Sequence, residues 1–289
     1  MKVTFLGTGN AIGIPSPFCR CKVCEYARTH KDKNVRTRSS IIINDDLIID
    51  IGPDIFHQCI RNNINLTGLK AALLTHTHSD HFAYPECFGK EISMSDGINV
   101  LNIYMSEAAN DNAIDAIEKA SLNSYITKKG VDSIEFNVLK PNKVNRIGEY
   151  NVIPFFSSHY VKGDEFAFNY IVAREGQTIL YGTDTGSYND ETLKLLKNYS
   201  FDVIIYDCNN GIDGEYSKNH SNFYEFNQLI HQLLKYDAIK STTRLIGTHI
   251  AHNSQMIHIE LENMLKQTFH HKFEVAYDGM IIDENVNCN

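Results

Sequence analysis

The segment AALLTHTHSDH, residues 71–81, decides the fold of this chain. Its first five residues are apolar or β-branched and predict a buried strand that ends at Thr75. Four side chains that commonly bind metals follow within six positions: His76, His78, Asp80 and His81. Side chains alternate along extended backbone, so His76 and His78 can reach one metal ion while Asp80 and His81 turn towards a second. Without metal or hydrogen bonds, burying these groups would cost several kcal/mol. The pattern therefore indicates a metal site.

Length and composition predict one domain over residues 1–289. The hydrophobic fraction of 43% and the charged fraction of 21% are close to the average for globular proteins. The chain can therefore form a large hydrophobic core without additional cross-links. The six prolines are dispersed, and no repeat, low-complexity tract or linker divides the chain.

Charge and hydropathy limit the partners and the compartment. The formal net charge is −8, and no block of Lys and Arg could follow a nucleic-acid backbone, so no long nucleic acid is expected. The sequence has no apolar run of signal-peptide or membrane-span length, which predicts a cytoplasmic protein without membrane contact. Whether subunits pair stays open, and a homodimer is one alternative.

Runs of β-branched and aromatic residues predict about eleven strands. They cover residues 2–6, 39–43, 47–51, 71–75, 99–105, 133–139, 151–156, 166–172, 178–183, 201–207 and 244–249. Helices are predicted over residues 53–62, 106–120, 189–199, 221–236 and 254–268. A hairpin turning at Asn44, Asp45 and Asp46 argues against a purely parallel sheet and favours two mixed sheets with helices outside.

The segment 71–81 resembles the metal-binding signature of the metallo-β-lactamase superfamily. Its fold is an α/β (α+β) four-layered αββα sandwich. Three further signatures follow in the family's order: FFSSHY with His159, LYGTDTG with Asp184 and RLIGTHIAH with His249. The resemblance covers essentially the whole chain.

The resemblance implies a pair of catalytic divalent metals, zinc or manganese. His76, His78 and His159 would hold one ion, and Asp80, His81 and His249 the other. Asp184 would bridge them. Asp50, in LIIDIG, is expected to orient the metal loop through hydrogen bonds. Six other histidines lack such a motif and are expected at the surface: His30, His57, His231, His258, His270 and His271.

Three of the seven cysteines crowd into FCRCKVC as Cys19, Cys21 and Cys24, too close together for a good set of disulfides. Three thiolates need a fourth ligand for a tetrahedral structural zinc, and His252 is the candidate. The alternative is three free thiols in a flexible loop. The remaining cysteines are expected to be small apolar residues: Cys59, Cys87, Cys208 and Cys288.

The Cys-x-Cys-x-x-Cys cluster, in an insertion near residues 15–38, combines with His-x-x-His at 249–252. This combination resembles the cyclic phosphodiesterase family of the bacterial carbon–phosphorus lyase pathway. In that family His220, within EYSKNHSNF, would be a further active-site histidine that donates a proton to the leaving oxygen. The alternative is that residues 219–221 only cap the helix that begins nearby.

The predicted function is hydrolysis of a small cyclic phosphodiester to a phosphomonoester, with His220, Asp80 and Asp184 as catalytic residues. The substrate would be a ribosyl 1,2-cyclic phosphate or a nucleoside 2′,3′-cyclic phosphate. Two alternatives share the fold. One is a transfer-RNA 3′-processing endonuclease, which normally has a basic RNA-binding arm. The other is a binding protein like the pyrroloquinoline quinone biosynthesis protein PqqB, which shares the cysteine cluster.

Overall fold

The computed structural model describes residues 1–87, 100–121, 134–212 and 217–283. Two mixed sheets form the centre of the molecule. The first contains, in spatial order, β14 (Ile281–Asp283), β1 (Lys2–Gly7), β2 (Ser40–Ile43), β3 (Leu47–Ile49), β4 (Ala71–Leu73), β5 (Leu101–Met105) and β6 (Ile134–Val138). The second contains β13 (Phe273–Val275), β12 (Ile239–Thr248), β11 (Phe201–Asp207), β10 (Gln177–Gly182), β9 (Glu165–Arg174), β8 (Tyr150–Lys162) and β7 (Asn145–Ile147).

All eleven predicted strands are confirmed. β7, β13 and β14 were not predicted, because each has three residues that include a polar one and so form no apolar run. The predicted hairpin joins β2 to β3 in antiparallel register. Asn44 and Asp45 adopt positive φ angles of 49° and 62°, which matches the right-handed twist of the two strands.

Helices flank the sheets. They are α1 (Lys22–His30), α2 (Ile55–Asn62), α3 (Tyr84–Cys87), α4 (Glu107–Ser121), α5 (Asp190–Leu196), α6 (Phe223–Leu234) and α7 (His258–Thr268). The five predicted helices are α2 and α4–α7. Two helices were not predicted: α1, which begins inside the cysteine cluster, and α3, which is a single turn. No helix in the described part of the chain has the length and apolarity needed to span a membrane.

Three apolar clusters define the layers. The central one joins the facing sides of the sheets, with Val3, Ile41 and Leu73 from the first sheet packed against Phe168 and Ile205 from the second. A second cluster packs α5, α6 and α7 on the outer face of the second sheet. A third packs α2, α3 and α4 on the outer face of the first. These layers confirm the predicted αββα sandwich.

Strand direction brings several strand ends to one edge. In the second sheet β10, β11 and β12 are parallel, and β8 runs with them because β9 is antiparallel to both β8 and β10. At this edge the amide of Phe168 donates to the carbonyl of Thr75, just beyond β4, at 2.8 Å. The amide of Ile250, just beyond β12, donates to the carbonyl of Thr8, just beyond β1, at 2.9 Å. Residues that follow these strands therefore meet at one place.

Candidate metal centre

The first cluster of ligand atoms contains three imidazole nitrogens. Nδ1 of His78 lies 2.9 Å from Nε2 of His76 and 3.3 Å from Nε2 of His159. His76 and His159 are buried, and His78 is half-buried. Three ring nitrogens within 4.8 Å of one another form a group that could hold a cation.

The second cluster is formed by Asp80, His81 and His249 around Asp184. Nε2 of His81 lies 3.1 Å from Oδ2 of Asp80 and 2.9 Å from Oδ2 of Asp184. Nε2 of His249 lies 3.3 Å from the same Asp184 oxygen. His76 also groups with His81 and Asp184, with all their ligand atoms within 4.8 Å of one another. Asp184 therefore lies where the two clusters adjoin, and the structure brings all seven predicted ligands together.

The hydrogen-bonding state of the second cluster fits a cation. Nε2 of His81, Oδ2 of Asp184 and Nε2 of His249 are buried, and none has a hydrogen-bond partner of good geometry in the described structure. The three atoms nevertheless approach to about the distance of two ligands of one ion. Buried polar atoms are seldom left unsatisfied, and a cation held between these three atoms would satisfy them.

Three residues of the site have unusual backbone conformations. Asp184 has a φ of 49°, His249 of 60° and Asp50 of 66°. Residues other than glycine seldom adopt this left-handed region, and such strain concentrates at functional sites. Asp184 and His249 adopt this conformation just beyond the ends of β10 and β12, at the edge where the strand ends meet.

Asp50 orients the loop as predicted. Its carboxylate accepts from Nδ1 of His81 at 2.7 Å and from the amide of Thr75 at 2.8 Å. The hydrogen bond at Nδ1 directs Nε2 of His81 towards Asp80 and Asp184. Close packing supports this loop, since a Cβ at Gly52 would lie 2.2 Å from the carbonyl oxygen of Asp80.

The site balances buried bases against buried acids. Burial alone would lower the pKa of His81, but Asp184, Asp80 and Asp50 reverse this and raise its pKa well above the ordinary value. Burial alone would raise the pKa of Asp184, but His249 and His81 hold its pKa well below the ordinary value. The Asp184 carboxylate is therefore ionised and able to act as a ligand.

Asp207 is a site residue that the sequence analysis missed. It ends β11 and is fully buried, and its Oδ2 lies 3.1 Å from Nδ1 of His220 and 3.3 Å from Nδ1 of His249. Its only sequence signal is an acidic residue at the end of an apolar strand, FDVIIYD. A single carboxylate has no spacing to identify it.

His220 lies beside the two clusters. Its Nδ1 is 3.8 Å from Oδ1 of Asp184, and its ring centroid is 5.3 Å from those of His159 and His249. Burial would lower the pKa of His220, but the hydrogen bond and the charge of Asp207 outweigh it and raise the pKa to about 8.

The helix-cap alternative for residues 219–221 is wrong. The cap of α6 is Asn222, whose side chain accepts from the amide of Glu225 at 2.9 Å while Glu225 bonds back to the amide of Asn222. This capping box satisfies the helix end without His220.

The cysteine cluster is assembled as the sequence indicated. Nδ1 of His252 lies 3.1 Å from Sγ of Cys24 and 3.5 Å from Sγ of Cys21, and Cys19 joins the same group. Cys24 lies in the first turn of α1, whereas His252 begins a short 3-10 helix, His252–Ser254, beyond β12. The four ligand atoms lie within 4.8 Å of one another, as a tetrahedral site requires.

One of the remaining histidines contradicts its prediction. His258 is 5% exposed, because its Nδ1 accepts from Arg36 at 2.9 Å and its amide donates to Asn34 at 2.6 Å. Burial and the charge of Arg36 lower its pKa to about 3. The other five are exposed or half-buried, as predicted: His30, His57, His231, His270 and His271.

The remaining cysteines fit their prediction where they are described. Cys87 and Cys208 are buried in apolar clusters, and Cys59 packs against one. Cys288 lies outside the described residues.

Three solved structures share the fold of this chain. A diphosphatase of the PhnP family superposes with a TM-score of 0.73 at 19% identity, covering 99% of this chain and 98% of that one. The metallo-β-lactamase-fold protein YhfI from Bacillus subtilis superposes with a TM-score of 0.68 at 20% identity, covering 98% of this chain and 99% of that one. Zn²⁺-bound PqqB from Methylobacterium extorquens gives 0.72 at 16% identity, covering 98% and 100%. The chain has the metallo-β-lactamase fold, which confirms the resemblance seen in the sequence.

The family follows from the sequence itself. The family model of the anti-Pycsar protein Apyc1 matches residues 27–274, and the chain belongs to this family. Two curated relatives match over shorter stretches. An octanoyltransferase from Porphyromonas gingivalis is 35% identical over 111 residues, which are 35% of this chain and 22% of that protein. Coenzyme PQQ synthesis protein B from Methylobacterium radiotolerans is 35% identical over 95 residues, which are 29% of this chain and 32% of that protein. The matches thus span a third or less of these relatives.

Proposed function

We propose that the chain is a dinuclear metal-dependent hydrolase that opens a small cyclic phosphodiester to a phosphomonoester. One observation carries the proposal. A complete set of seven His and Asp side chains converges beside a histidine that is hydrogen-bonded to a buried carboxylate. The metal set accounts for phosphate binding and water activation, and the histidine accounts for protonation of a leaving oxygen.

His76, His78 and His159 would hold one ion, Asp80, His81 and His249 the other, with Asp184 between them. Imidazole and carboxylate ligands suit both zinc and manganese. When bound, two such ions supply Lewis acidity that activates water and neutralises charge on phosphoryl oxygens. Cys19, Cys21, Cys24 and His252 would hold a structural zinc, since thiolates select zinc and leave no open position.

His220 has the role of general acid. Its Nδ1 hydrogen-bonds to Oδ2 of Asp207 at 3.1 Å, so the carboxylate holds the Nδ1 proton and fixes the ring. The other ring nitrogen, Nε2, is then the one that transfers a proton. Opening a cyclic phosphodiester expels an alkoxide of high pKa, which needs this proton in the transition state.

The alternatives have less support in the residues. An RNA-processing nuclease needs a surface that attracts a polyanion, and the chain has a formal net charge of −8. A binding protein without catalysis would not need the paired Asp207 and His220 beside a full ligand set. The substrate we propose is a ribosyl 1,2-cyclic phosphate or a nucleoside 2′,3′-cyclic phosphate.

The test is a direct assay on the purified full chain loaded with zinc or manganese. Both cyclic phosphates are supplied, and phosphorus NMR follows conversion of the cyclic ester to the monoester. The proposal expects turnover of at least one substrate by the wild type and nearly none by Asp184→Ala. If neither metal supports hydrolysis of either substrate, or Asp184→Ala retains it, the proposal is wrong.

A further inference from the structure

In the segment Thr75-His76-Thr77-His78 two threonines alternate with two of the proposed ligands. Each threonine gives both its amide and its hydroxyl to one buried carboxylate. Thr75 donates its amide to Asp50 at 2.8 Å and its hydroxyl to the same side chain at 2.9 Å. Thr77 donates its amide to Oε1 of Glu165 at 2.7 Å and its hydroxyl to Oε2 at 2.6 Å. The loop is therefore held at two points, and Glu165 comes from the opposite sheet.

Glu165 is the first residue of β9 and is completely buried. Burying a carboxylate is costly unless hydrogen bonds satisfy it. Besides the two donors of Thr77, Nδ2 of Asn112 on α4 donates to Oε2 of Glu165 at 2.5 Å. Three short hydrogen bonds to one side chain form a stiff connection between the metal loop, β9 and α4.

The position of the Thr77 backbone controls where the ligands lie. His78 presents Nδ1, the ring nitrogen nearer to the backbone, to His76 and His159. Nδ1 is only two bonds from Cβ, so its position follows a shift of the main chain closely. The amide that Glu165 binds is also the peptide link between His76 and Thr77, and a shift there would move both ligands.

We propose that Glu165 is a positioning residue for the metal site of His76, His78 and His159, acting through Thr77. This inference rests on the proposed metal pair. Asp50 holds the start of the loop by accepting two hydrogen bonds from Thr75. Glu165 would hold the loop next to His78 in the same way, by accepting two hydrogen bonds from Thr77. The support is local, because the described contacts of Glu165 involve neither His249 nor the cysteine cluster.

The experiment titrates zinc-loaded protein with a chelator and measures bound zinc per chain. Glu165→Ala should weaken one zinc site by roughly 10–100-fold, the usual effect of removing a partner that orients a ligand. The thiolate-bound zinc should be retained. Glu165→Gln should restore near wild-type affinity, because its amide oxygen can accept from the Thr77 amide while its amino group donates to the Thr77 hydroxyl and, once the Asn112 side-chain amide has turned over, to the Asn112 oxygen.

Glu225→Ala is the matched control. Glu225 is also a buried carboxylate that binds one hydroxyl, of Ser187 at 2.9 Å, and one amide, of Asn222 at 3.1 Å. Its loss should lower the melting temperature and leave zinc affinity unchanged. If Glu225→Ala weakened zinc as much as Glu165→Ala did, the role of Glu165 would be merely structural and the inference would be overturned.

Two further outcomes decide the inference. Wild-type zinc affinity in Glu165→Ala, or a failure of Glu165→Gln to restore affinity, overturns it. If Glu165→Ala does not fold, Thr77→Val decides instead: weaker binding at one site supports the inference and unchanged binding overturns it. Affinity is measured without substrate. A wild type that binds zinc but opens no cyclic phosphodiester therefore contradicts the proposed function and leaves Glu165 its positioning role.

Discussion

Oδ2 of Asp207 lies 3.1 Å from Nδ1 of His220, at the point where β11 ends beside the metal ligands. The same carboxylate oxygen is 3.3 Å from Nδ1 of His249, so one buried acid contacts both the proposed acid catalyst and a proposed metal ligand. Such a shared partner couples the orientation of two functional imidazoles. In the proposed function, proton transfer by His220 and metal binding by His249 would share this carboxylate.

Replacing His220 with Ala should separate metal binding from turnover. Both catalytic ions should be retained, while hydrolysis of the cyclic phosphodiester should fall by roughly 10²–10⁴-fold, the usual effect of losing a general acid. The loss should shrink for a p-nitrophenyl phosphodiester, because its phenolate departs without a proton. Steady-state rates on both substrates check this. Equal losses would instead assign His220 to phosphate positioning.

Asp207→Asn should lower turnover by roughly 10–100-fold, as for other residues that orient a functional side chain. The Asn amide donates a hydrogen bond to Nδ1 of His220 and so opposes the tautomer that the carboxylate stabilises. In a His220→Ala background the same change should have a smaller effect, since the two residues act as one unit. Rates of the two single variants and the double variant test this. Fully additive losses would show that Asp207 acts elsewhere.

Cys21→Ser should reduce zinc content and stability more than it changes the chemistry of protein that remains folded. The cysteine site connects α1 to the segment beyond β12 and lies outside the reacting centre. Elemental analysis and thermal melting of the variant and the wild type provide the comparison. Unchanged zinc stoichiometry and melting temperature would refute the structural zinc assignment.

His258 should make stability sensitive to acid. Its pKa is about 3 in the fold and near 6.5 in an unfolded chain, so the unfolded state binds the extra proton between these values. Stability should therefore fall as pH drops from about 6.5 towards 3, by up to ~1.4 kcal/mol per pH unit from this group.

His258→Asn preserves an acceptor for Arg36 and should flatten the dependence by that amount. His231→Asn, on the exposed face of α6, is the control and should keep the wild-type slope. Denaturant unfolding at several pH values measures how the free energy of unfolding of each protein depends on pH. Any loss of metal in acid affects the wild type and both variants alike and cancels in the comparison. A wild-type slope in His258→Asn would exclude His258 as the acid-sensitive group.

The sequence predicted what depends on local spacing. In residues 76–81 the alternation of side chains along extended backbone determines which ligands lie together. His159, Asp184 and His249 lie at or just beyond the ends of apolar runs that are recognisable as strands. The sequence did not predict the positions of Asp207 and Glu165 in the site, because each is a single carboxylate whose partners lie far along the chain or in the other sheet. His258 was misjudged for a similar reason, since its burial depends on Arg36, 222 residues away in the sequence.

Stepwise metal removal with parallel rate measurement shows whether two of the bound ions are needed for catalysis. Zinc-loaded wild type is titrated with a chelator, and bound zinc per chain is measured together with cyclic phosphodiester hydrolysis. The thiolate-rich site should release its ion last, because the His and Asp sites keep open positions and exchange more readily. We predict three ions per chain and loss of activity as the first two leave, with one ion still bound. Full activity after two ions have left, or activity lost only with the last ion, would contradict the dinuclear site.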